Sequence, residues 1–189
     1  SFSVSGTGTL AYRTGGGNRN QYLWFTRDGK PDGVSLPIGN YNEVQIAPDN
    51  KKAVVRQGGD LWLVEFPSHV VSRLTSGPGS KQDAVWSPDS RRIAYVKPDG
   101  GIYQMRIGSG AESLVYSGPS SIKIEGWIRE GLVIRVDGAI SLLPAPKEDS
   151  TQPVTEKPRA LVDFKTGVDQ MRVSPDGKWV DRKSTRLNS

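Results

Sequence analysis

Residues 86–95 read WSPDSRRIAY, and the same pattern occurs at two other places in the chain. Residues 46–55 read IAPDNKKAVV, and residues 173–180 read VSPDGKWV. Two weaker copies lack the Pro-Asp pair: VSGTGTLAY at 4–12 and WIREGLVI at 127–134. The copies are spaced by 42, 40, 41 and 46 residues when they are aligned on Ser5, Ala47, Ser87, Ile128 and Ser174. Recurrence at a nearly constant spacing is typical of a repeat architecture.

A second apolar segment follows each of the first four copies, at residues 23–25, 61–63, 102–105 and 140–143. Each unit is therefore predicted to contain four short strands, rich in the β-branched and aromatic residues that strands favour. In the clearest unit the predicted strands are 83–87, 91–97, 101–107 and 112–116.

Turn residues separate these strands. Pro88 presets φ for the second position of a type I turn, and Asp89 suits the third because its side chain bonds the local backbone. Gly100 and Gly101 supply the next hairpin turn, where a positive φ is easily reached. No useful helical period appears in the chain.

Four antiparallel strands every 40 to 45 residues predict an all-β fold, a β-propeller fragment of about four four-stranded blades plus the start of a fifth. A β-sandwich also has short strands, but it does not explain a repeated sequence. Residues 144–158, which contain four prolines, are predicted to be a flexible inserted loop between strands three and four of the fourth blade. The partial propeller spans 1–180, with blades at about 1–37, 41–76, 81–117, 121–164 and, incomplete, 168–180.

The composition excludes several classes of protein. The 189 residues include no Cys and one His, which excludes a disulfide scaffold, a thiol nucleophile and a multi-His metal site within the chain. No apolar run approaches the 18 residues of a membrane span. The net charge is +5, but its Lys and Arg residues are scattered without a basic stripe, so no nucleic-acid partner is predicted. The chain begins at Ser1, so we expect a piece of a longer protein.

No catalytic residue, cofactor or metal site is predicted, and the chain is not expected to be an enzyme. His69 is interpreted as an exposed turn residue, and the Gly-x-Ser-x-Gly motif of serine hydrolases is absent from the sequence. The kinase motifs Gly-x-Gly-x-x-Gly, His-Arg-Asp and Asp-Phe-Gly are absent as well. Asp49, Asp89 and Asp176 recur once per unit at turns, which favours a structural role over a shared metal site.

The five tryptophans also follow the repeat. Trp86 aligns with Trp127, and Trp24 aligns with Trp62. A stacking surface for sugars or bases is one interpretation. Packing between blades is the favoured one, because aromatic residues that keep the register of a repeat belong to its core. Trp179 in the last copy is included in this prediction.

Polar residues at the start of each first strand are the candidate ligand contacts. Propellers place this segment, here termed the channel rim, around their central channel, where converging polar groups suit a protein, a peptide or a small molecule. A solvated rim without a ligand is the alternative. The candidate residues are Tyr41, Asn42, Glu43, Lys81, Gln82, Asp83, Lys123, Glu125, Asp169 and Gln170.

The units with the pattern Ser-Pro-Asp-x-(Lys/Arg)-(Lys/Arg)-x-Ala-(Tyr/Val), clearest at residues 87–95, resemble the WD-like repeats of TolB-type propellers. The opening, FSVS at residues 2–5, GTLAYRTGG at 8–16 and QYLWFTRDGK at 21–30, resembles the propeller that lies C-terminal to many bacterial transmembrane serine/threonine kinases. This resemblance implies an extracytoplasmic (periplasmic) sensory or scaffold module, linked to the inner membrane only through an anchor in the parent chain. The alternatives are the propeller of a prolyl-oligopeptidase-like serine peptidase and a free-standing periplasmic TolB-like protein.

The last nine residues, DRKSTRLNS at 181–189, break the pattern. A fifth unit would continue with Ala-Tyr and a turn, whereas these residues resemble the in-frame translation of a common short-read sequencing adapter. We therefore expect a non-native tail. Removing its three basic and one acidic residue lowers the net charge from +5 to +3, so part of the basic character says nothing about a partner.

Overall fold

The structure is a computed structural model, and the regular elements of its described residues are all strands. The described residues are 2–4, 10–14, 21–26, 28–36, 39–66, 68, 70–147, 152–163, 170–173 and 180–183. His69, Asp169, Asp176 and Trp179 lie outside them, so the predictions for these residues are not addressed. Across the described ranges there is no helix that could cross a membrane.

Four sheets have four strands each, and in every sheet the strands lie in chain order and pair antiparallel. Sheet one contains β1 (Phe2–Val4), β2 (Leu10–Thr14), β3 (Gln21–Phe25) and β4 (Pro31–Ser35). Sheet two contains β5 (Tyr41–Ile46), β6 (Lys52–Gln57), β7 (Asp60–Glu65) and β8 (Val71–Arg73). Sheet three contains β9 (Gln82–Trp86), β10 (Arg92–Val96), β11 (Gly101–Arg106) and β12 (Glu112–Ser117).

Sheet four contains β13 (Lys123–Ile128), β14 (Gly131–Val136), β15 (Ala139–Pro144) and β16 (Arg159–Asp163). Sheet five is described as the hairpin of β17 (Gln170–Val173) and β18 (Val180–Lys183). The repeated four-stranded unit predicted from the sequence is confirmed, and the strands of sheet three differ from the predicted ones by one residue or less at each end. Residues 181–183 continue the hairpin as part of β18.

The described parts of the segment between β15 and β16 lie against sheet three. Arg92 Nη1 donates to the carbonyl of Pro146 at 3.1 Å, and the amide of Val154 donates to the carbonyl of Val115 at 2.7 Å. The Val154 side chain packs on the apolar cluster between sheets three and four. The insertion therefore bridges two neighbouring sheets.

The first strands of successive sheets pack against one another, β1 on β5, β5 on β9, β9 on β13 and β13 on β17. They form the inner edge of the ring, and the fourth strand of each sheet lies farthest from it. The described residues of the predicted channel rim lie at or near the start of these first strands.

The core lies between the sheets. Side chains alternate across a strand, so Ala53 and Val55 of β6 pack towards sheet one while Val54 packs towards sheet three. On β10, Ile93 packs towards sheet two and Ala94 towards sheet four. Each buried Val or Ile side chain contributes about 1.5–3 kcal/mol, so both faces of each inner sheet hold the ring together.

The Pro-Asp turns have the geometry that the sequence predicts. The carbonyl of Ser87 accepts from the amide of Ser90 at 2.9 Å, and the Asp89 carboxylate accepts from the amide of Arg91 at 3.0 Å. Ser90 has a φ of +60°. The amide of Asp49 donates to Ser90 Oγ at 2.9 Å, so the turns of sheets two and three are bonded to each other.

Three tryptophans are buried between sheets, which confirms the packing interpretation for Trp24, Trp86 and Trp127. Trp86 Nε1 donates to the carbonyl of Gln45 in sheet two at 2.9 Å. The Arg92 guanidinium lies 5.0 Å from the ring centroid of Trp127, so a residue of sheet three covers a tryptophan of sheet four.

Candidate functional site

A β-bulge interrupts the first strand of sheets two, three and four near its start. One extra residue of the first strand faces the second strand in each case: Asn42 in β5, one of Asp83 and Ala84 in β9, and Glu125 in β13. A bulge bends the strand and re-aims a side chain. An acidic residue lies at or next to each bulge: Glu43 follows Asn42, Asp83 lies in the bulged segment of β9, and Glu125 is the extra residue of β13.

In sheet two, the acidic side chain is paired within its own sheet. Arg56 Nη2 donates to Glu43 Oε1 at 3.0 Å, across the register partners Glu43 and Arg56. The same guanidinium donates through Nη1 to Ser80 Oγ at 3.3 Å, just before β9 begins. This arginine therefore ties the rim of sheet two to that of sheet three.

Sheet four repeats this pairing. Arg135 Nε donates to Glu125 Oε1 at 2.6 Å, and both side chains are largely buried. A charge-assisted bond of this length fixes both partners in one orientation. Neither Arg56 nor Arg135 was among the residues predicted from the sequence.

Asp83 in sheet three lies between these two pairs and has a φ of +51°. Burial raises the pKa of its carboxyl to about 6, and the negative charges of Glu43 and Glu125 act in the same direction. The positive charges of Lys123 and Arg135 oppose them. Asp83 is therefore a rim carboxylate whose protonation changes near pH 6.

A cavity of about 140 Å³ opens beside Asp83, between the rims of sheets three and four. Its polar lining comes from Gln82, Asp83 and Lys123, and Val96 and Ile122 form apolar walls; Lys97, Pro98, Ser120 and Ser121 complete it. The ammonium of Lys97 pairs with Glu112 and lies 3.9 Å from the Tyr103 ring centroid, so its charge is already engaged.

Two further predicted residues are buried. Tyr41 is 4% exposed with its ring centroid 6.0 Å from that of Tyr22, and burial raises the pKa of its hydroxyl. Lys81 is 1% exposed, and its ammonium donates to Asp60 Oδ1 at 2.9 Å and to the carbonyls of Ser76 and Gly77. Both residues support the rim from inside.

Asp60, the partner of Lys81, is the centre of a buried polar network. Desolvation opposes its charged form, but hydrogen bonds from Lys81, Arg73 and Thr75 prevail and lower the pKa of the carboxyl. Arg73 Nη2 donates to Asp60 Oδ2 at 2.5 Å, and Thr75 Oγ1 donates to Oδ1 at 3.1 Å. The sequence offered no sign that Lys81 would be held there.

The structure brings together Glu43, Gln82, Asp83, Lys123 and Glu125 of the predicted set. Asn42 is half-buried at its bulge, and Gln170 is described only as the first residue of β17. Across the described residues no group of three or more acidic or histidine side chains could hold a metal ion.

Comparison with solved structures identifies the fold. TolB from Acinetobacter baumannii is similar with a TM-score of 0.71 and 17% identity, over 95% of this chain and 47% of that chain. The fold is that of a TolB-like β-propeller. The chain thus spans about half the length of TolB. No family model and no curated protein sequence matches it.

Two other similar solved structures are of enzymes. Kuenenia stuttgartiensis hydrazine synthase is similar to this chain with a TM-score of 0.64 and 16% identity, over 95% of this chain and 53% of that chain. Pyrococcus horikoshii acylaminoacyl peptidase matches with a TM-score of 0.57 and 13% identity, over 78% of this chain and 28% of that chain. At these identities the likeness concerns the fold alone.

Proposed function

We propose that this TolB-like propeller is a non-catalytic binding module whose protein, peptide or small-molecule ligand contacts the channel rim. The observation that supports this proposal is the convergence of Glu43, Asp83 and Glu125 from three successive sheets. Each sits at or beside a bulge, the device that aims side chains at sites in β-structures.

The rim combines fixed and open groups. The pairs Glu43–Arg56 and Glu125–Arg135 hold their charges in place, whereas Gln82 and Lys123 are exposed to solvent. A few polar groups held in position beside apolar walls are typical of sites that orient a ligand. Binding then requires little reordering of the protein, which lowers its entropic cost.

We further propose that the parent chain is a bacterial serine/threonine kinase with this propeller on the extracytoplasmic side of the inner membrane. The support is the resemblance of residues 2–16 and 21–30 to kinase-linked propellers. Sequencing the flanking gene tests it: a kinase domain followed by one membrane span is expected upstream, and its absence contradicts the proposal.

Selection of a random peptide phage library on the full chain tests rim binding. We expect enriched peptides that lose at least about tenfold in affinity, about 1.4 kcal/mol, when Gln82→Trp obstructs the rim. Ser72→Trp on the exposed outer strand β8 is the matched control and should leave affinity unchanged. Failure to enrich any peptide would exclude a peptide ligand, and equal binding of enriched peptides to both variants would overturn rim binding.

A second candidate function is the propeller of a prolyl-oligopeptidase-like serine peptidase. The likeness to Pyrococcus horikoshii acylaminoacyl peptidase motivates it. A Gly-x-Ser-x-Gly hydrolase domain encoded downstream of this chain supports that function and excludes the kinase parent.

We also propose that residues 181–189 are translated adapter rather than natural protein. The in-frame match motivates this, and the pairing of β18 does not oppose it because backbone hydrogen bonds form with most side chains. Codons for residues 181–189 that do not spell the adapter would end the idea.

A further inference from the structure

The second strands of sheets two, three and four share one position where two carry an arginine and the third does not. Arg56, Val96 and Arg135 are equivalent by strand register. Each lies three residues after the second-strand partner of an aligned first-strand residue, which is Ile46, Trp86 or Trp127. Arg56 and Arg135 each bind the rim carboxylate of their own sheet. Val96 offers no such group to Asp83.

The same register makes Ser121 the counterpart of Ser80, which accepts the second bond of Arg56. Ser121 instead donates to Asp137 Oδ1 at 2.8 Å. Among the described residues, Asp83 makes no hydrogen bond or close ion pair with another side chain. Sheet three therefore has a carboxylate and a neighbouring serine hydroxyl placed to accept hydrogen bonds from an arginine, but the residue at the arginine position is Val96.

The cavity of about 140 Å³ is lined by Asp83, Val96 and Ser121, the residues that would surround that arginine. It is smaller than the roughly 300–1,000 Å³ of pockets that enclose a drug-sized ligand. Its size suits one functional group of a larger ligand. Val96 and Ile122 offer apolar contact to the aliphatic stem of such a group, as long cationic side chains require.

Resting on the proposed rim function, we propose that this cavity binds a guanidinium group of the ligand, which takes the place that an arginine of the chain occupies in sheets two and four. A carboxylate receives a planar guanidinium through two parallel hydrogen bonds, which a compact ammonium cannot reproduce. Gln82 provides a further amide oxygen at the mouth of the cavity.

The surrounding charges make the binding dependent on pH. Glu43 faces Asp83 from β5, Lys123 and Glu125 face it from β13, and Arg135 faces it from β14. Burial raises the pKa of Asp83 to about 6, so its carboxylate is charged above pH 6 and loses its charge below it. Guanidinium affinity should fall as the pH is lowered from 7.5 to 5.

Isothermal titration calorimetry of the full chain tests the proposal, with N-acetylarginine amide as the probe and N-acetylcitrulline amide as its neutral counterpart. We expect binding of the arginine probe at least about tenfold tighter than that of the citrulline probe at pH 7.5. Methylguanidinium serves as a third probe: weaker binding than that of the arginine amide indicates a peptide arginine, and equal binding indicates a free guanidinium compound.

Variants locate the site. Asp83→Asn should weaken the arginine probe about tenfold, and Val96→Arg should abolish its binding because the chain then fills its own cavity. Val70→Arg makes the same substitution at a residue 50% exposed and outside the cavity, and it should bind as the unaltered chain does. Lys123→Gln should tighten binding of the arginine probe two- to threefold by removing a like charge; weaker binding of that probe would contradict electrostatic attraction to the cavity and overturn the proposal.

The two proposals fail separately. Selected peptides that are blocked by Gln82→Trp but indifferent to Val96→Arg would leave rim binding intact and reject the guanidinium site. Binding of the arginine probe that depends on Asp83, without any rim-dependent peptide, would support the guanidinium site and exclude peptides as the ligand of the rim. Equal affinity of the arginine probe for the unaltered chain and for Asp83→Asn overturns the guanidinium site directly.

Discussion

Sheets two and three meet at one junction, and sheets three and four meet at another. The two junctions share the same strand register, but polar groups join the first and apolar groups join the second. At three equivalent positions the first junction carries Arg56, Ser80 and Lys81, and the second carries Val96, Ser121 and Ile122. The first is closed by ion pairs and hydrogen bonds. The second is closed by apolar contact and leaves a cavity beside a carboxylate.

This difference shows how a repeat produces a site. Strand pairing and bulges are retained from one sheet to the next, so the backbone presents the same positions repeatedly. Where one copy of the unit lacks the arginine, its carboxylate has no internal partner among the described residues. The carboxylates of the neighbouring copies are paired with arginines. A ligand can use the unpaired carboxylate without any change in the fold.

The largest expected effect compares the tryptophans of the two junctions. Trp86→Ala and Trp127→Ala should each lower the free energy of unfolding by about 3–5 kcal/mol, through lost burial and the cavity left behind. Trp86→Ala should cost more, because the Trp86 indole also donates to Gln45. Urea denaturation measures both, and a larger loss for Trp127→Ala would contradict this account.

Lys81→Ile replaces a lysine of the first junction with isoleucine, the residue found at the equivalent position 122 of the second junction. It leaves the buried Asp60 without its ammonium partner, so we expect a loss of about 3 kcal/mol in the free energy of unfolding and a rise in the pKa of Asp60. Lys81→Ile combined with Asp60→Asn should recover part of the loss. Unchanged stability in the single variant would show that the pair contributes nothing.

Asp83→Asn should stabilise the chain at pH 7.5, by roughly 2 kcal/mol. The folded pKa of Asp83 is about 6, above the value of 3.8 expected when unfolded, so the folded state binds more protons between these values. Its contribution to stability is therefore present at low pH and lost as the pH rises from about 4 to 6. Urea denaturation at pH 4 and pH 7.5 measures the free energy of unfolding of the variant and of the unaltered chain. The two values should be nearly equal at pH 4; the same difference at both pH values would contradict a raised pKa of Asp83.

The smallest effect concerns the bond between turns at the first junction. Ser90→Ala removes the acceptor of the Asp49 amide and should lower the free energy of unfolding by about 1 kcal/mol. Asp89→Ala tests the turn within sheet three alone, since Asp89 accepts from Ser87 and Arg91 of the same turn. The melting temperatures of the Ser90→Ala and Asp89→Ala variants distinguish the contributions of the two bonds. An unchanged melting temperature for Ser90→Ala would show that the bond between turns adds nothing to stability.

The four-stranded unit, its turns and the packed tryptophans could be predicted from the sequence because they depend on local signals. Pro88 and Asp89 specify a turn, and alternation along β10 specifies two buried faces. A period of about 41 residues then repeats this information. Glu43, Asp83 and Glu125 could be placed on the rim for the same reason.

Other features depended on contacts between sheets. Nothing local separates Lys81, buried against Asp60, from Lys123, which is exposed at the equivalent rim. The partners Arg56 and Arg135 lie 13 and 10 residues from their carboxylates and become neighbours only through the bulged register. Strand register aligns Val96 with Arg56 and Arg135, and so shows that sheet three lacks the arginine. The turn before β14 is shorter than those before β6 and β10, so this alignment is not visible in the sequence.

The chain's periodic pattern alone establishes a propeller, because backbone hydrogen bonds and alternating burial respond to residues a few positions apart. The packing of one sheet on the next determines which rim charges are neutralised. It also determines which carboxylate remains unpaired. Ion pairing and desolvation depend on distances of a few ångströms between residues far apart in the chain. Asp83 thus differs from Glu43 and Glu125 through its surroundings and not through its own chemistry.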